Sequence, residues 1–260
     1  MEKPKAILFD VTKCIGCQAC VYACKEANNL SEPEKEEKEL SPTAYTVVKE
    51  KEGVYYRRLC MHCKEPTCAS VCPVKAFEKK PNGPVIYHSD KCIGCRYCIQ
   101  ACPFAVPTYE WKSTKPLVRK CTMCAERQKQ GKISACAEAC PTEATIFGDR
   151  EELLKEAKRR IAENPDLYVN HIYGEKEAGG TSVLILSNVP FEKLGFPTNL
   201  TEEPLSELTW AIMSKIPNYV VVSGVFLYGI YWIINRRMEL ADMRNESKEK
   251  DQDKKITDKV

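Results

Sequence analysis

All sixteen cysteines of this 260-residue chain lie between positions 14 and 140, in four groups of four. Cys14, Cys17, Cys20 and Cys24 have the spacing C-x2-C-x2-C-x3-C, as do Cys92, Cys95, Cys98 and Cys102, and both runs open Lys-Cys-Ile-Gly-Cys. Cys60, Cys63, Cys68 and Cys72, and likewise Cys121, Cys124, Cys136 and Cys140, follow an arginine-bearing segment and lack that glycine; their second gaps widen to four and eleven residues. The two types alternate along the chain, which makes the array an internal repeat. Such a density of thiols implies disulfides, zinc or iron-sulfur clusters, and the spacing must choose among them.

A four-iron cube needs four thiolates on alternate corners. A short C-x2-C-x2-C loop wraps three of them, and in two-cluster ferredoxins the fourth is the cysteine before proline in another run. Pro73, Pro103 and Pro141 supply that proline here, while Lys25 stands in its place after Cys24. Zinc gives no reason for a third cysteine two residues on, and a disulfide framework would not repeat one spacing four times. Covalent haem is excluded because no C-x-x-C is followed by histidine. The pattern therefore implies four [4Fe-4S] clusters, with iron held through the sixteen cysteines; a membrane-tethered zinc adaptor is the remote alternative. Gly16 and Gly94 would let backbone amides approach the sulfurs.

If each ferredoxin-like unit takes one group of each type, two partitions remain. Either the first group joins the second and the third joins the fourth, or the first joins the fourth and the second joins the third. The Gly83-Pro84 turn between the middle groups resembles a ferredoxin hairpin and favours the nested arrangement. The long gap at 125–135 reads as a polar loop bulging from its cube, either as a solvated excursion or as a docking contact for a partner.

The fold class expected is α+β, with two nested ferredoxin-like units and one C-terminal membrane helix. Residues 44–59 alternate around Glu52-Gly53 as a β-hairpin, and the charge-dense stretch before them, 26–42, reads as surface. Asp149 is placed to cap a helix over 150–163, with Leu153, Leu154, Ala157 and Ile161 on one face, and Ser182–Leu186 reads as a strand. No phosphate-binding glycine motif occurs. Residues 216–234 carry no charge, and at about 1.5 Å per residue they match a bilayer core of about 30 Å. Trp210, Tyr219, Tyr231 and Trp232 lie towards the ends of this span, where interfacial aromatics belong.

One basic residue, Lys215, falls in 196–215 against seven in 235–255, which puts the tail in the cytoplasm and the cluster domain on the outer face. The expected division is a tetra-cluster region at 1–148, a helix-and-strand extension packing on it at 149–209, an anchor at 210–235 and a charged tail at 236–260. The N-terminal sequence shows neither a secretory signal nor twin arginines, so export with a signal-bearing partner is expected. The formal charge is +3, but four clusters replacing thiol protons shift it to roughly −5, so net charge gives no support to nucleic-acid binding.

Together with "YGEKEAGGTSVL", "SNVPFEKLGFP" and the late span, the four groups resemble the iron-sulfur electron-transfer subunits of membrane-bound respiratory oxidoreductases. The likeness is nearest to the Hyb-type [NiFe] hydrogenase subunit and next to the formate dehydrogenase beta subunit. It covers residues 5 to about 237. The resemblance implies nested ligation: Cys14, Cys17, Cys20 and Cys140 for a first cluster, and Cys121, Cys124, Cys136 and Cys24 for a second. Cys60, Cys63, Cys68 and Cys102 would hold a third, and Cys92, Cys95, Cys98 and Cys72 a fourth. It further implies a large catalytic partner of hydrogenase or molybdopterin type and a quinone-reactive or cytochrome b membrane subunit. Contact with lipid and a place in the cytoplasmic membrane follow, with no catalysis by this chain.

Other residues invite smaller readings. His62 is expected to pack or hydrogen-bond, and Met61 and Met123 to give apolar cover. Arg57, Arg58, Arg119 and Lys120 either offset cluster charge or are solvated. His88 and His171 have no partners in the sequence that would suggest a role.

Overall fold

The computed structural model describes residues 3–31 and 37–257. Residues 1–2, part of the charge-dense stretch at 32–36, and the last three residues of the charged tail lie outside the described residues. Contacts divide the chain into two units, Met1–Glu207 and Leu208–Val260.

The first unit runs β1 (Lys5–Asp10), α1 (Ala19–Ala27), β2 (Thr46–Lys51), β3 (Val54–Leu59), α2 (Thr67–Ser70), β4 (Phe77–Lys79), β5 (Val85–Tyr87) and α3 (Tyr97–Gln100). It continues with β6 (Thr108–Tyr109), β7 (Val118–Arg119), α4 (Ala125–Lys129), α5 (Ala135–Glu138), β8 (Thr145–Asp149), α6 (Arg150–Glu163) and β9 (Val183–Leu186). Strand β1 is the centre of a three-stranded sheet, antiparallel to β8 with Ile7 opposite Phe147 and parallel to β9 with Asp10 opposite Leu186. It is apolar on both faces because both are covered. Ile7 and Phe9 face the core that holds the cysteines, while Ala6 and Leu8 pack with Leu153 and Ala157 of α6.

Three hairpins complete this unit. In β2–β3 the turn residues Glu52 and Gly53 both have positive φ, 53° and 72°, the backbone that matches strand twist in a two-residue loop. The β4–β5 hairpin, closed by Lys80 N–H donating to Pro84 O at 2.8 Å, joins the second cysteine group to the third. Its loop accepts the Lys5 amide on Asn82 O at 2.9 Å, which ties it to β1.

Helix α6 occupies the expected residues, but the Asp149 side chain does not cap it. That carboxylate accepts from Lys5 instead and pairs with Lys3 at 3.5 Å. The helix is anchored from its other end, where Arg160 reaches the buried carboxylate of Asp10 at 2.8 Å and Tyr168 donates to the same group at 2.9 Å.

Helix α7 (Leu205–Met213) leads into the second unit, in which α8 (Ile216–Thr257) is 42 residues long. The helix is long and apolar enough to cross a membrane, and none of its apolar window is buried, unlike a core helix. Val221, Val225, Phe226 and Tyr228 all lie exposed. The charged segment beyond Ile234 continues the helix rather than ending it, with Arg236 and Glu239 paired at 3.1 Å.

Candidate metal centres

Two helix pairs gather the cysteines: α1 packs on α5, and α2 on α3. Burial pushes the Cys14 thiol up, with Cys140 and Cys17 adjacent. Burial likewise pushes Cys24 up to about 12 beside Cys136 and Cys124. In the middle of the chain, Cys60, Cys63, Cys68 and Cys102 line one cavity together with His62 and Lys120. Burial raises Cys68 to about 12 there, and raises Cys98 to about 11 beside Cys92, Cys95 and Cys72. Each neighbourhood brings together cysteines from two groups far apart in sequence. Three further proximities link the neighbourhoods in series: Cys20 to Cys136, Cys121 to Cys60, and Cys68 to Cys98.

The donor set fits [4Fe-4S] clusters. All sixteen cysteines are free thiols. Among the described residues no three His, Cys, Asp or Glu side chains converge closely enough for a single ion, whereas zinc at about 2.3 Å from each sulfur needs such convergence. A buried thiolate is costly alone and stable when metal supplies the opposing charge.

Backbone amides are aimed at the sulfurs. Gly94 N–H donates to Cys92 Sγ at 3.4 Å, Met123 N–H to Cys121 Sγ at 3.3 Å, and Ala76 N–H to Cys72 Sγ at 3.2 Å. After Cys102 and Cys140, the proline ends the helix and the chain turns back, so amides at Phe104, Ala105 and Val106, and at Thr142, Ala144 and Thr145, meet the preceding sulfur. Lys25 in place of proline lets α1 run on past Cys24. The donor there is a side chain, Asn28 Nδ2, at 3.6 Å from Cys24 Sγ. Lys25 itself is buried, pairs with Glu37 at 2.5 Å and donates to Thr43 O at 2.7 Å.

The second residue after the first cysteine of every group has left-handed backbone: Gly16 at φ 72°, His62 at 48°, Gly94 at 71° and Met123 at 54°. The glycines serve packing as well as amide approach. A Cβ on Gly16 would stand 2.7 Å from the Tyr55 ring, and one on Gly94 would stand 3.0 Å from the Tyr109 hydroxyl. In the other two groups the residue's own side chain is buried in the corresponding place, His62 at 0% and Met123 at 1% exposed. Met61 is also buried, as apolar cover requires.

The four basic residues before the second-type groups divide. Arg57 is 1% exposed and donates to Thr145 Oγ1 at 2.8 Å and to Thr46 Oγ1 at 3.1 Å. Among the described residues no carboxylate pairs with it. Burial works against its charge, but the Cys20, Cys136 and Cys24 sulfurs more than offset this and hold it protonated. Lys120 is buried too, donating to Val85 O at 2.5 Å and Cys121 O at 2.9 Å. Solvation is therefore the wrong reading for these two. Arg58 instead binds the carbonyls of Gly195 and Phe104, and Arg119 pairs with Glu110 at 2.5 Å. Lys79, a cation the sequence did not single out, donates to His62 O at 3.1 Å; burial lowers it to about 8, with Cys63 and Cys60 opposing.

The segment 125–135 is solvated over much of its length, with Glu126 and residues 129–133 exposed, and is anchored at its two ends. It forms α4 and returns into α5 with Ala125, Ser134 and Ala135 buried. Gln128 accepts from Asn82 at 3.2 Å, and Ala135 N–H donates to Cys124 Sγ at 3.5 Å. The insertion thus covers its own group. His88 and His171 pair with Glu78 at 2.9 Å and Glu177 at 2.6 Å.

Comparison with known proteins agrees with this donor set. Two models of a 4Fe-4S dicluster domain match, at residues 13–76 and 51–150. A protein of Nitratidesulfovibrio vulgaris is 40% identical over 251 positions, covering 90% of this chain and 68% of the relative. The hydrogenase-2 operon protein HybA of Escherichia coli O157:H7 is 37% identical, covering 85% of this chain and 79% of its own length. The formate dehydrogenase-O iron-sulfur subunit of Escherichia coli K12 is 32% identical, covering 98% and 91% respectively.

Proposed function

The chain belongs to the family of [4Fe-4S] iron-sulfur subunits that includes HybA and the formate dehydrogenase iron-sulfur subunits, and from that premise we propose that it relays electrons between a catalytic subunit of [NiFe] hydrogenase type and a quinone-reactive membrane subunit. Four [4Fe-4S] clusters are its cofactors. Each bound cluster takes up and releases one electron at a potential set by charge, hydrogen bonds and burial. The bond chemistry belongs to the partner.

The ligand sets proposed are the nested ones: Cys14, Cys17, Cys20 with Cys140; Cys121, Cys124, Cys136 with Cys24; Cys60, Cys63, Cys68 with Cys102; and Cys92, Cys95, Cys98 with Cys72. The observation that carries this reading is the meeting of sulfurs from distant groups, above all the cavity shared by Cys60, Cys63, Cys68 and Cys102. The serial proximities support one line from the first set through the second and third to the fourth. Exposed Cys17 and Cys95, with Ile15 and Ile93 beside them, fall at its two ends, where electrons must enter and leave. Arg57 places a fixed positive charge between the first and second sets, and Lys120 and Lys79 do so beside the third.

Residues 210–235 serve as the membrane anchor. The excess of basic residues after the span supports a cytoplasmic tail and a cluster domain on the outer face. The match to the formate dehydrogenase-O subunit over 98% of the chain favours a second reading, as the beta subunit of a molybdopterin oxidoreductase, running in either direction. Purification of the tagged chain from its native membrane tests both. A large subunit holding nickel and iron is expected; one holding molybdenum or tungsten overturns the hydrogenase reading in favour of the second.

A further inference from the structure

We propose that His62 donates a hydrogen bond from Nε2 to the sulfur of the cluster held by Cys60, Cys63, Cys68 and Cys102, and thereby raises the potential of that cluster alone. The inference rests on the ligand set proposed above.

Geometry settles which nitrogen carries the proton. Val85 N–H donates to His62 Nδ1 at 3.0 Å, so Nδ1 offers its lone pair and the proton is on Nε2. The side chain is fully buried, and Nε2 has no hydrogen-bond partner among the described residues. An unpaired buried N–H is unfavourable and rare. His62 lines the cavity that Cys60, Cys63, Cys68 and Cys102 also line, so the sulfur gathered there is the acceptor we assign to it. An Nδ1 that accepts from Val85 bears no proton, so the ring holds one proton only and contributes a dipole and not a charge.

The backbone gives an independent reason. His62 sits at φ 48° where the first and third groups have glycine. In those groups a tyrosine from elsewhere occupies the space, Tyr55 against Gly16 and Tyr109 against Gly94. A side chain with a Cβ resists left-handed backbone, so glycine would be the less strained residue at this position. Met123, at the fourth group's corresponding position, fills its space with a thioether that has no proton to give. Among these four positions only His62 has a side-chain N–H. Reduction adds negative charge to the cluster, so a donor stabilises the reduced form more than the oxidised form.

The test is an EPR-monitored redox titration of the full-length chain with its clusters in detergent, comparing wild type, His62→Leu and His62→Gln, with pulsed EPR on protein labelled with histidine carrying 15N in the ring only. Loss of one hydrogen bond should reduce the equilibrium constant for reducing one cluster about tenfold, a shift of about 59 mV for one electron. The other three midpoints should stay, and His62→Gln, which keeps a side-chain N–H, should recover most of the change. Wild type should show weak 15N coupling on one reduced cluster, absent in His62→Leu. Unchanged midpoints in an iron-replete His62→Leu protein, or no 15N coupling in wild type, would overturn the proposal. Should His62→Leu lose iron, the labelled wild type decides alone. Iron content near sixteen atoms per chain tests the cofactor reading separately, and Cys102→Ser tests the ligand set. If Cys102→Ser alters a different signal from the one His62→Leu moves, the set is wrong while the histidine contact stands.

Discussion

The guanidinium of Arg57 donates to the hydroxyl of Thr145 at 2.8 Å across 88 positions of sequence, joining a hairpin beside the second cysteine group to the strand after the fourth. A buried cation without a carboxylate is costly unless other negative charge balances it. Here the sulfurs of Cys20, Cys136 and Cys24 face it. Arg57→Met should therefore lower the midpoints of the first and second clusters by about 60 mV or more, roughly tenfold in the reduction equilibrium. Redox titration by EPR reads this directly, and unshifted midpoints would remove Arg57 from the account.

Gly16→Ala combines two costs. The left-handed backbone resists a Cβ by about 1–2 kcal/mol, and the new methyl would stand 2.7 Å from the Tyr55 ring. Gly53 has the same φ of 72° and open space, so Gly53→Ala carries the backbone cost alone. We expect Gly16→Ala to lose iron from one cluster and to melt several degrees below Gly53→Ala, as measured by metal analysis and calorimetry.

Removing the iron should couple stability to alkaline pH. Burial raises Cys24 and Cys68 to about 12 and Cys98 to about 11, from an ordinary value of 9.0. A group whose folded pKa is raised favours the folded state below its unfolded pKa and loses that advantage as pH rises through the folded value. Between about pH 9 and 12 the unfolded thiols ionise while the folded ones do not. The denaturant midpoint of the chelator-stripped chain should thus fall over this window. The loaded chain, whose sulfurs are already bound as thiolates, should show no such slope from these groups.

Truncation after Glu207, at the boundary between the two units, should leave the clusters in place and release the chain from the membrane. Fractionation with iron analysis checks both parts. In the assembled complex the same truncation should abolish quinone-linked turnover while leaving dye-linked turnover, and persistent quinone reduction would count against the anchor role.

Asn28→Ala removes the side-chain donor to Cys24 Sγ, seen at 3.6 Å. Because α1 continues past Cys24, no turning backbone follows to supply amides there as it does after Cys102 and Cys140. The second cluster should shift to lower potential by a few tens of millivolts, less than the effect of Arg57→Met, consistent with a long sulfur hydrogen bond.

By itself the sequence determined the sixteen candidate ligands, the two group types, the hairpin at Glu52-Gly53, the α6 face and the charge-free span. All of these are local: they rest on spacing within a loop, on strand and helix periodicity, or on a turn's backbone demands. Tertiary structure decided what spacing cannot carry. Which thiols meet depends on β1 pairing with β8 and on α1 lying against α5, contacts that close segments more than a hundred residues apart. Arg57 is buried and Arg58 is not because neighbours on β3 point to opposite sides, and Lys120 is buried just past the end of β7, where it binds the carbonyls of Val85 and Cys121. The insertion at 125–135 stays largely in solvent, but Asn82, on a distant hairpin, pins it through Gln128. The role proposed for His62 depends on one amide, at Val85, that leaves the ring proton on Nε2, a buried nitrogen without a partner among the described residues. A linear pattern names the donors, and only three-dimensional packing sets the charge and the hydrogen bonds around them.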